Sequence, residues 1–236
     1  MVVNLAATFF SIIDTSQNFD DNLAMQKGMT IIYPEYNGLY INLTNRCPCA
    51  CTFCIRQKAV GSEFDNVDTL WLEHEPSAQE VIEAIKEEAK LERFKSYKEF
   101  VFCGYGEPTE ALDVLLEVAA FLKENYSLPV RINTNGLADL INNKPVAPLL
   151  AGKIDALSIS LNSSNPEIYE KTVRPVFKEK AFPAMLTFAE QAKNYVPKVV
   201  LSTVETTITK EDEEECTRLC ERLGVTHRIR KFVAIS

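Results

Sequence analysis

Strand-like and helix-like segments alternate along most of this 236-residue chain, from about residue 39 onward. Short apolar runs such as 100–103 and 199–204 have the length and composition of buried strands, whereas 181–195 has apolar residues at helical spacing. Helices between consecutive strands favour parallel pairing with right-handed crossovers. About six such units predict an α/β fold, and six are too few for a complete eight-unit barrel.

Two architectures satisfy this pattern: an open doubly wound sheet and an incomplete barrel. In both, functional groups gather beyond the carboxyl ends of the parallel strands. Polar or glycine-containing segments follow four predicted strands, at 44–46, 104–108, 134–136 and 162–164. The sequence therefore predicts one site at this end of the sheet.

Charge and apolar content limit the class of protein. The formal net charge is −8, so a broad polyanion-binding surface is not expected, although a local basic pocket is allowed. No apolar run approaches the roughly 18 residues that a membrane span requires, and no Lys or Arg precedes the apolar stretch 5–13. We expect a cytoplasmic protein, with residues 1–28 as an N-terminal extension of unknown role and 29–236 as one core domain.

The cysteines are concentrated in one short segment. Four of the seven lie between positions 47 and 54, and neither the clustering nor the odd number suits a disulfide framework. Cys47, Cys51 and Cys54 have the spacing C-x3-C-x2-C, with Cys49 inside it. Thiolates prefer soft metals, so the segment predicts an iron–sulfur cluster with one open iron or, using Cys49 as well, a four-cysteine zinc site.

This cysteine segment resembles the signature of the radical S-adenosylmethionine (SAM) superfamily. The resemblance implies that Cys47, Cys51 and Cys54 bind a 4Fe-4S cluster, that Cys49 does not, and that Phe53 packs near the adenine of SAM. The next motif resembles the family's glycine-glycine-glutamate segment, which meets the amino group of the methionine moiety. It comprises Gly104, Tyr105, Gly106 and Glu107, and the tyrosine departs from the glycine pair.

Further candidate cofactor contacts lie after the later strands. The segment with Asn133 and Asn135 resembles the family's polar segment near the ribose of SAM. Ser160 and Asn162 share one face of a predicted strand and are candidates for the ribose or the methionine carboxylate. Arg174 is a candidate carboxylate binder, because its guanidinium matches two oxygens. The alternative is that Ser160 and Asn162 cap the end of the strand and that Arg174 is an ordinary surface residue.

The remaining cysteines are predicted to be structural rather than catalytic. Cys103 sits at a strand end, and Cys216 and Cys220 share a helix face without further ligands nearby in the sequence. No catalytic residue beyond the cluster is predicted.

Residues 29–234 most closely resemble the TatD-nuclease-associated radical SAM proteins, through the segments 45–56, 102–108, 159–162 and 173–175. This implies a partial (β/α)6 TIM-like barrel of parallel strands. It implies an enzyme that cleaves SAM to a 5′-deoxyadenosyl radical, which abstracts hydrogen from an unidentified substrate. The implied partners are that substrate, whether a small molecule or a macromolecule, an electron donor such as flavodoxin or ferredoxin, and a functional link to a TatD-type nuclease.

Two other functions stay open from the sequence. One is a radical SAM activase that installs a radical on a partner protein, or a nucleoside-modifying enzyme of the same superfamily. The other is a non-enzymatic zinc-binding module. Metal content separates the two classes.

Overall fold

The computed structural model describes residues 28–57 and 69–231, which form one seven-stranded sheet. The strands lie in sequence order; β1 pairs antiparallel with β2, and every later neighbour is parallel. The strands are β1 Ile32–Glu35, β2 Gly38–Ile41, β3 Glu99–Phe102, β4 Val130–Thr134, β5 Ala156–Ser160, β6 Lys198–Val204 and β7 Thr226–Arg230.

Helices connect the parallel strands. They are α1 Ala78–Glu88, α2 Leu112–Asn125, α3 Ala138–Asn142, α4 Pro166–Val173, α5 Ala181–Ala192 and α6 Lys210–Leu223. Short 3₁₀ turns occupy Ile55–Gln57, Glu92–Ser96, Pro108–Ala111, Ala147–Leu150 and Lys178–Lys180.

The two faces of the sheet bury different sets of side chains. One face, with side chains such as Phe102 and Ile132, packs against all six described helices in the main core. The opposite face carries a smaller aromatic cluster that includes Tyr33, Tyr40 and Val101. A doubly wound sheet reverses its strand order and carries helices on both faces. Sequential order with helices on one face instead defines a partial barrel, which confirms the fold class.

Local sequence signals explain several helix ends. Ser77 and Glu80 have the spacing of a capping box, and they form one at the start of α1. Gly224 ends α6 in the left-handed conformation, with φ +66°. The sequence pattern predicts a helix from about residue 110, but α2 begins at Leu112, because a 3₁₀ turn that starts with Pro108 precedes it.

The sequence pattern missed two elements and misplaced another. β1 has only four residues and pairs through a tight hairpin, whereas α4 is an eight-residue helix. The sequence pattern predicts a last strand over 228–235, but this strand covers Thr226–Arg230, and residues 232–236 lie outside the described part. The predicted extension 1–28 also lies outside it apart from Gly28, whose N–H donates to the carbonyl of Trp71. No helix in the described ranges is long and apolar enough to cross a membrane.

Candidate functional site

The cysteine segment follows β2 and is anchored on its first side by Asn45 and Arg46. The Asn45 side chain accepts a hydrogen bond from Leu72 N at 3.0 Å and donates to Leu72 O at 2.8 Å, as a neighbouring strand would. Arg46 Nε lies 2.6 Å from the carboxylate of Glu75. Two consecutive polar residues thus fix the entry of the cysteine loop, which we define as residues 47–54.

The other side of the cysteine loop lies across the carboxyl end of α4. Ala50 N donates to Val173 O at 3.1 Å, and Thr52 N donates to Thr172 O at 2.9 Å. The backbone N–H groups of the loop thus donate to the last carbonyls of α4, which have no hydrogen-bond partner within the helix. Arg174 ends α4 in the left-handed conformation, with φ +48°. Its exposed side chain is therefore adjacent to the loop, but its predicted contact with a carboxylate stays a prediction.

The four thiols of the loop differ in exposure. Cys49 is buried, with 4% of its surface exposed, whereas Cys47, Cys51 and Cys54 are half-buried. The Cys49 thiol hydrogen-bonds to Cys47 and Cys51, which lowers the pKa of both and raises its own pKa. Burial raises the pKa of Cys54. Asn135 Nδ2 lies 3.7 Å from Cys49 Sγ and so contacts the one buried thiol.

Within residues 28–57 and 69–231, no three His, Cys, Asp or Glu side chains converge closely enough to hold one metal ion.

Glu107 is a buried carboxylate whose hydrogen-bond partners all belong to the protein. It accepts from Thr109 N at 3.1 Å, Thr109 Oγ1 at 2.8 Å, Thr134 Oγ1 at 2.7 Å and Asn135 N at 2.7 Å. Burial raises its pKa, and these hydrogen bonds partly oppose that shift. The side chain thus joins the segments after β3 and β4; its predicted contact with the amino group of SAM stays a prediction.

The glycines of the same motif are required by close packing. A Cβ on Gly106 would stand 2.1 Å from the carbonyl oxygen of Thr44, and one on Gly104 would stand 2.1 Å from Asn42 Oδ1. The segment after β3 therefore touches the chain that leads into the cysteine loop, and only glycine fits between them. Glycine at these positions was predicted to let the backbone approach a ligand. In the structure, both glycines instead lie against another part of the protein.

Tyr105 and Phe53 are the aromatic candidates of the site. The Tyr105 ring is buried and packs edge-on against Trp71, with ring centroids 5.1 Å apart. Trp71 is the chain's one tryptophan, so its fluorescence reports on this segment. Phe53 is half-buried within the cysteine loop, beside Cys54. Its predicted contact with adenine stays a prediction.

The polar candidates after β4 and β5 are divided between two places. Asn135 lies beside the cysteine loop, and its Oδ1 also accepts from Leu137 N at 2.8 Å. Asn133 lies deeper in the barrel, where its Oδ1 accepts a hydrogen bond from Arg131. Ser160 and Asn162 stand at the carboxyl end of β5; Asn162 is buried with φ +63°, and its Oδ1 has no hydrogen-bond partner.

Tyr169 and Asn42 are two buried residues near the cysteine loop that no sequence pattern singles out. Tyr169 lies on α4, is 1% exposed, and has a hydroxyl without a hydrogen-bond partner. Burial raises its pKa, and the neighbouring Cys49 and Cys51 raise it further, which places the ring close to the cysteine loop. Asn42 is fully buried beside Gly104, with an unpartnered Oδ1. Nothing in their sequence spacing distinguishes either residue from ordinary core.

The residues present fit a cluster and a polar ligand. The donor set consists of three half-buried thiols, and thiolates are the usual ligands of iron–sulfur clusters. The described ranges contain four buried side-chain polar atoms without a partner, and three belong to this region: Asn42 Oδ1, Asn162 Oδ1 and Tyr169 Oη. Buried polar groups are normally satisfied, so a bound group with hydrogen-bonding atoms would give these atoms partners.

A partial parallel α/β barrel with a three-thiol loop after its first parallel strand defines a metal-cluster enzyme with its site at the carboxyl end of the sheet. The model of the Radical SAM superfamily matches residues 41–223, and the chain belongs to this superfamily. It is therefore an enzyme, and its cofactors are a 4Fe-4S cluster and SAM, as predicted.

Individual relatives are similar over parts of the chain. A probable GTP 3′,8-cyclase of Methanosarcina acetivorans is 30% identical over 160 residues, covering 61% of this chain and 42% of that protein. Streptococcus suis SuiB bound to S-adenosylmethionine aligns with TM-score 0.62 and 17% identity, covering 85% of this chain and 41% of that one. A radical SAM methyltransferase from Sphaerobacter thermophilus aligns with TM-score 0.60 and 17% identity, covering 84% and 56%.

These similarities support the fold and the superfamily. The solved structures are too distant in sequence to support more than the fold. The chain spans about two fifths of the length of the curated relatives it matches. What those longer proteins act on is therefore not transferred to this chain.

Proposed function

We propose that this protein binds a 4Fe-4S cluster through Cys47, Cys51 and Cys54, binds SAM at the open iron, and uses the resulting radical on a substrate in the barrel. The observation that carries the proposal is the difference in solvent exposure among the four loop thiols. Three are half-buried, whereas Cys49 is buried and hydrogen-bonds to two of them. Cys49 therefore orients its neighbours rather than binding iron.

When bound, the cluster and SAM supply one-electron cleavage of the sulfonium, which gives methionine and a 5′-deoxyadenosyl radical for hydrogen abstraction. The protein's own residues hold and orient the cofactor. We assign the adenine to Phe53, the methionine amino group to the 104–107 segment, and the ribose and carboxylate to the polar side chains that follow. These are Asn133, Asn135, Ser160, Asn162 and Arg174.

Within the 104–107 segment, the backbone of Gly104, Tyr105 and Gly106 is the part available to a ligand. Glu107 acts as a positioning residue, because its carboxylate already accepts four hydrogen bonds from Thr109, Thr134 and Asn135. The amino group of SAM would thus contact the segment after β3, which Glu107 holds at a fixed distance from the segment after β4.

The inner face of the barrel limits water around the reacting atoms. Tyr33, Tyr40, Leu70, Val101 and Tyr105 form a buried apolar cluster on this face. An apolar wall protects a radical from stray proton and electron donors until substrate is bound.

Anaerobic purification and reconstitution, followed by absorption spectroscopy and iron analysis, test the proposal. We expect about four irons per chain and a broad band near roughly 400 nm in the wild type. Cys51→Ala should lose most of both, because a three-thiol site cannot hold the cubane with two ligands. SAM added to the wild type should change the emission of Trp71, since this ring packs on Tyr105.

Cys49→Ala is the matched control, because it removes a thiol from the same loop. It should retain the iron of the wild type under our proposal. Loss of metal in Cys49→Ala as well as Cys51→Ala, with zinc in the wild type, would establish the four-cysteine zinc module and overturn the proposal. Cys220→Ala, a buried thiol on α6, controls for the loss of any cysteine.

The subgroup, location and partners belong to the same proposal. The four quoted segments of resemblance support a TatD-nuclease-associated radical SAM protein. Seven free cysteines suit the reducing cytoplasm, where flavodoxin or ferredoxin would supply the electron. The test is deletion of the gene for the protein together with measurement of TatD-type nuclease products in cell extracts; unchanged products would remove the TatD link.

The identity to the GTP 3′,8-cyclases favours the nucleoside-modifying alternative over the activase alternative. The two differ in which molecule loses hydrogen. Deuterated nucleosides or nucleotides incubated with the reconstituted enzyme should transfer deuterium into 5′-deoxyadenosine if the first is correct. Transfer from a partner protein alone would favour the activase.

A further inference from the structure

The inner face of the last three strands carries positive charge without a compensating carboxylate. β5, β6 and β7 contain no Asp or Glu at any position. Leu157 and Leu201 belong to the core beneath the helices, and His227 contacts Thr217 of α6, so these residues face outward. Since side chains alternate along a strand, Arg228 and Arg230 of β7 face into the barrel.

Arg228 stands in a polar row that crosses three strands. Ser160 pairs with Ser202 between β5 and β6, and Ser202 pairs with Arg228 between β6 and β7. Neighbouring strands lie about 4.8 Å apart, so the backbone of Arg228 is about 10 Å from that of Ser160. Arg228 is exposed toward the interior opening, within reach of a molecule bound beside Ser160.

Arg230 lies one pleat further along β7 and is less accessible. Its Nε is buried and has no hydrogen-bond partner. Burial lowers its pKa, and the neighbouring positive charge of Arg228 lowers it further. Neither arginine forms an ion pair within the described ranges. A buried, unpartnered Nε on a charged, half-buried side chain is costly, so its position requires an explanation.

A third arginine on the inner face, Arg131, has its charge paired within the protein. Arg131 of β4 pairs with Glu99 at 2.7 Å and also donates to Asn133. Its guanidinium is thereby neutralised within the barrel wall. Among residues 28–57 and 69–231, no carboxylate forms an ion pair with Arg228 or Arg230, and this leaves their charge available to a ligand.

We propose that Arg228 and Arg230 form a binding site for an oxyanion, a phosphate or carboxylate group, of the substrate. The guanidinium fork matches two oxygens of such a group. The substrate would be anchored by its anionic end on β7, with its reacting end toward β5. This inference rests on the proposed function, because it places the substrate in the barrel that holds SAM.

Calorimetric titration with inorganic tripolyphosphate and with citrate tests the site and separates phosphate from carboxylate. Wild-type protein should bind at least one probe. Arg228→Gln and Arg230→Gln should each bind it at least tenfold more weakly. Arg222→Gln on α6 is the control, because it removes an exposed arginine from a different surface. Arg230→Lys should recover part of the affinity, since it keeps the charge without the fork.

Thermal unfolding gives a second readout. The effective probe should raise the unfolding temperature of the wild type but not that of Arg230→Gln. If Arg230→Gln fails to fold, Arg228→Gln decides. Failure of the wild type to bind either probe, or equal binding by wild type and both glutamine variants, would overturn the site. Iron content is measured on the same samples to keep the two tests separate. Absence of the cluster would contradict the proposed function, whereas the titration tests only the arginine site.

Discussion

The carboxylate of Glu107 accepts a hydrogen bond from the backbone N–H of Asn135, 2.7 Å away and 28 residues later in the chain. Glu107 follows β3 and Asn135 follows β4, so this contact joins two segments that the resemblance assigned separately to SAM. The same carboxylate accepts from Thr134. The geometry of the SAM site would therefore depend on the hydrogen bonds of this buried carboxylate.

Replacement of Glu107 should first affect stability. In Glu107→Gln, an NH₂ group replaces one carboxylate oxygen. A donor that faces this group, such as Asn135 N, then loses its acceptor. Leaving a buried donor unsatisfied costs about 1–3 kcal/mol, so we expect a loss of that size in urea unfolding of the metal-free protein. Glu124→Gln, at an exposed position, should leave the midpoint unchanged. Full stability together with lost SAM binding would instead make Glu107 a direct ligand contact.

Gly106 should tolerate no side chain. A Cβ would meet Thr44 O at 2.1 Å and Arg46 O at 2.8 Å, and backbone atoms cannot move aside as a side chain can. Overpacking of this kind costs about 1–3 kcal/mol or more, and it should also displace the entry of the cysteine loop. We expect Gly106→Ala to unfold at lower urea concentration and to hold less iron after reconstitution.

Gly152→Ala is the comparison for Gly106→Ala. Gly152 has no atom within 4 Å of its Cβ position but has φ +70°. Its alanine variant should lose only the roughly 1–2 kcal/mol of a left-handed residue and keep its iron. Equal iron loss in the two variants would contradict the packing explanation.

Removal of the Tyr169 hydroxyl should not destabilise the metal-free protein. The hydroxyl is buried and has no partner, so Tyr169→Phe removes an unsatisfied group and keeps the ring against Phe182. We expect the free energy of unfolding to be unchanged or to rise by about 1 kcal/mol. After reconstitution, the reduction potential of the cluster should fall, because a nearby hydrogen-bond donor is lost. A less stable metal-free variant would disprove this account of the hydroxyl.

Glu88 should make stability fall in acid. Its hydrogen bonds from Arg93, at 2.6 Å, hold its pKa below the usual value, and Tyr97 also donates to it. Because the folded pKa is lowered, this contribution is complete above the ordinary carboxyl pKa and is lost as pH falls through the folded pKa. Urea midpoints between pH 7 and pH 3 should therefore drop less steeply in Glu88→Gln than in the wild type.

The exposed neighbour Glu87 supplies the control for that pH dependence. Glu87 forms only a surface ion pair with Lys90, and such pairs contribute little. Glu87→Gln should therefore follow the wild-type pH profile. A flattened profile in Glu87→Gln would show that the dependence does not come from Glu88.

Local sequence patterns are enough to predict features that depend on neighbouring residues. The capping box of Ser77 and Glu80 is set by residues three apart, and the alternation of strands and helices by the local hydrophobic period. The spacing of Cys47, Cys51 and Cys54 lies in one short loop and predicted an iron–sulfur cluster or a zinc site. These patterns indicated an α/β fold and a thiolate metal site, and the resemblance to the radical SAM superfamily implied the enzyme class and the cofactors.

Features that depend on contacts between distant segments appear only in the folded structure. Residue spacing does not say which side chains meet, so the lack of room for a Cβ at Gly106 beside Thr44 is not visible in the sequence. The strand order, with the described helices packed on one face of the sheet, decided between a barrel and a doubly wound sheet. The fold also decides that Arg228 and Arg230 lie on the enclosed face and form no ion pair within the described ranges. The physical reason is that burial and charge pairing are properties of the folded surface rather than of the local sequence.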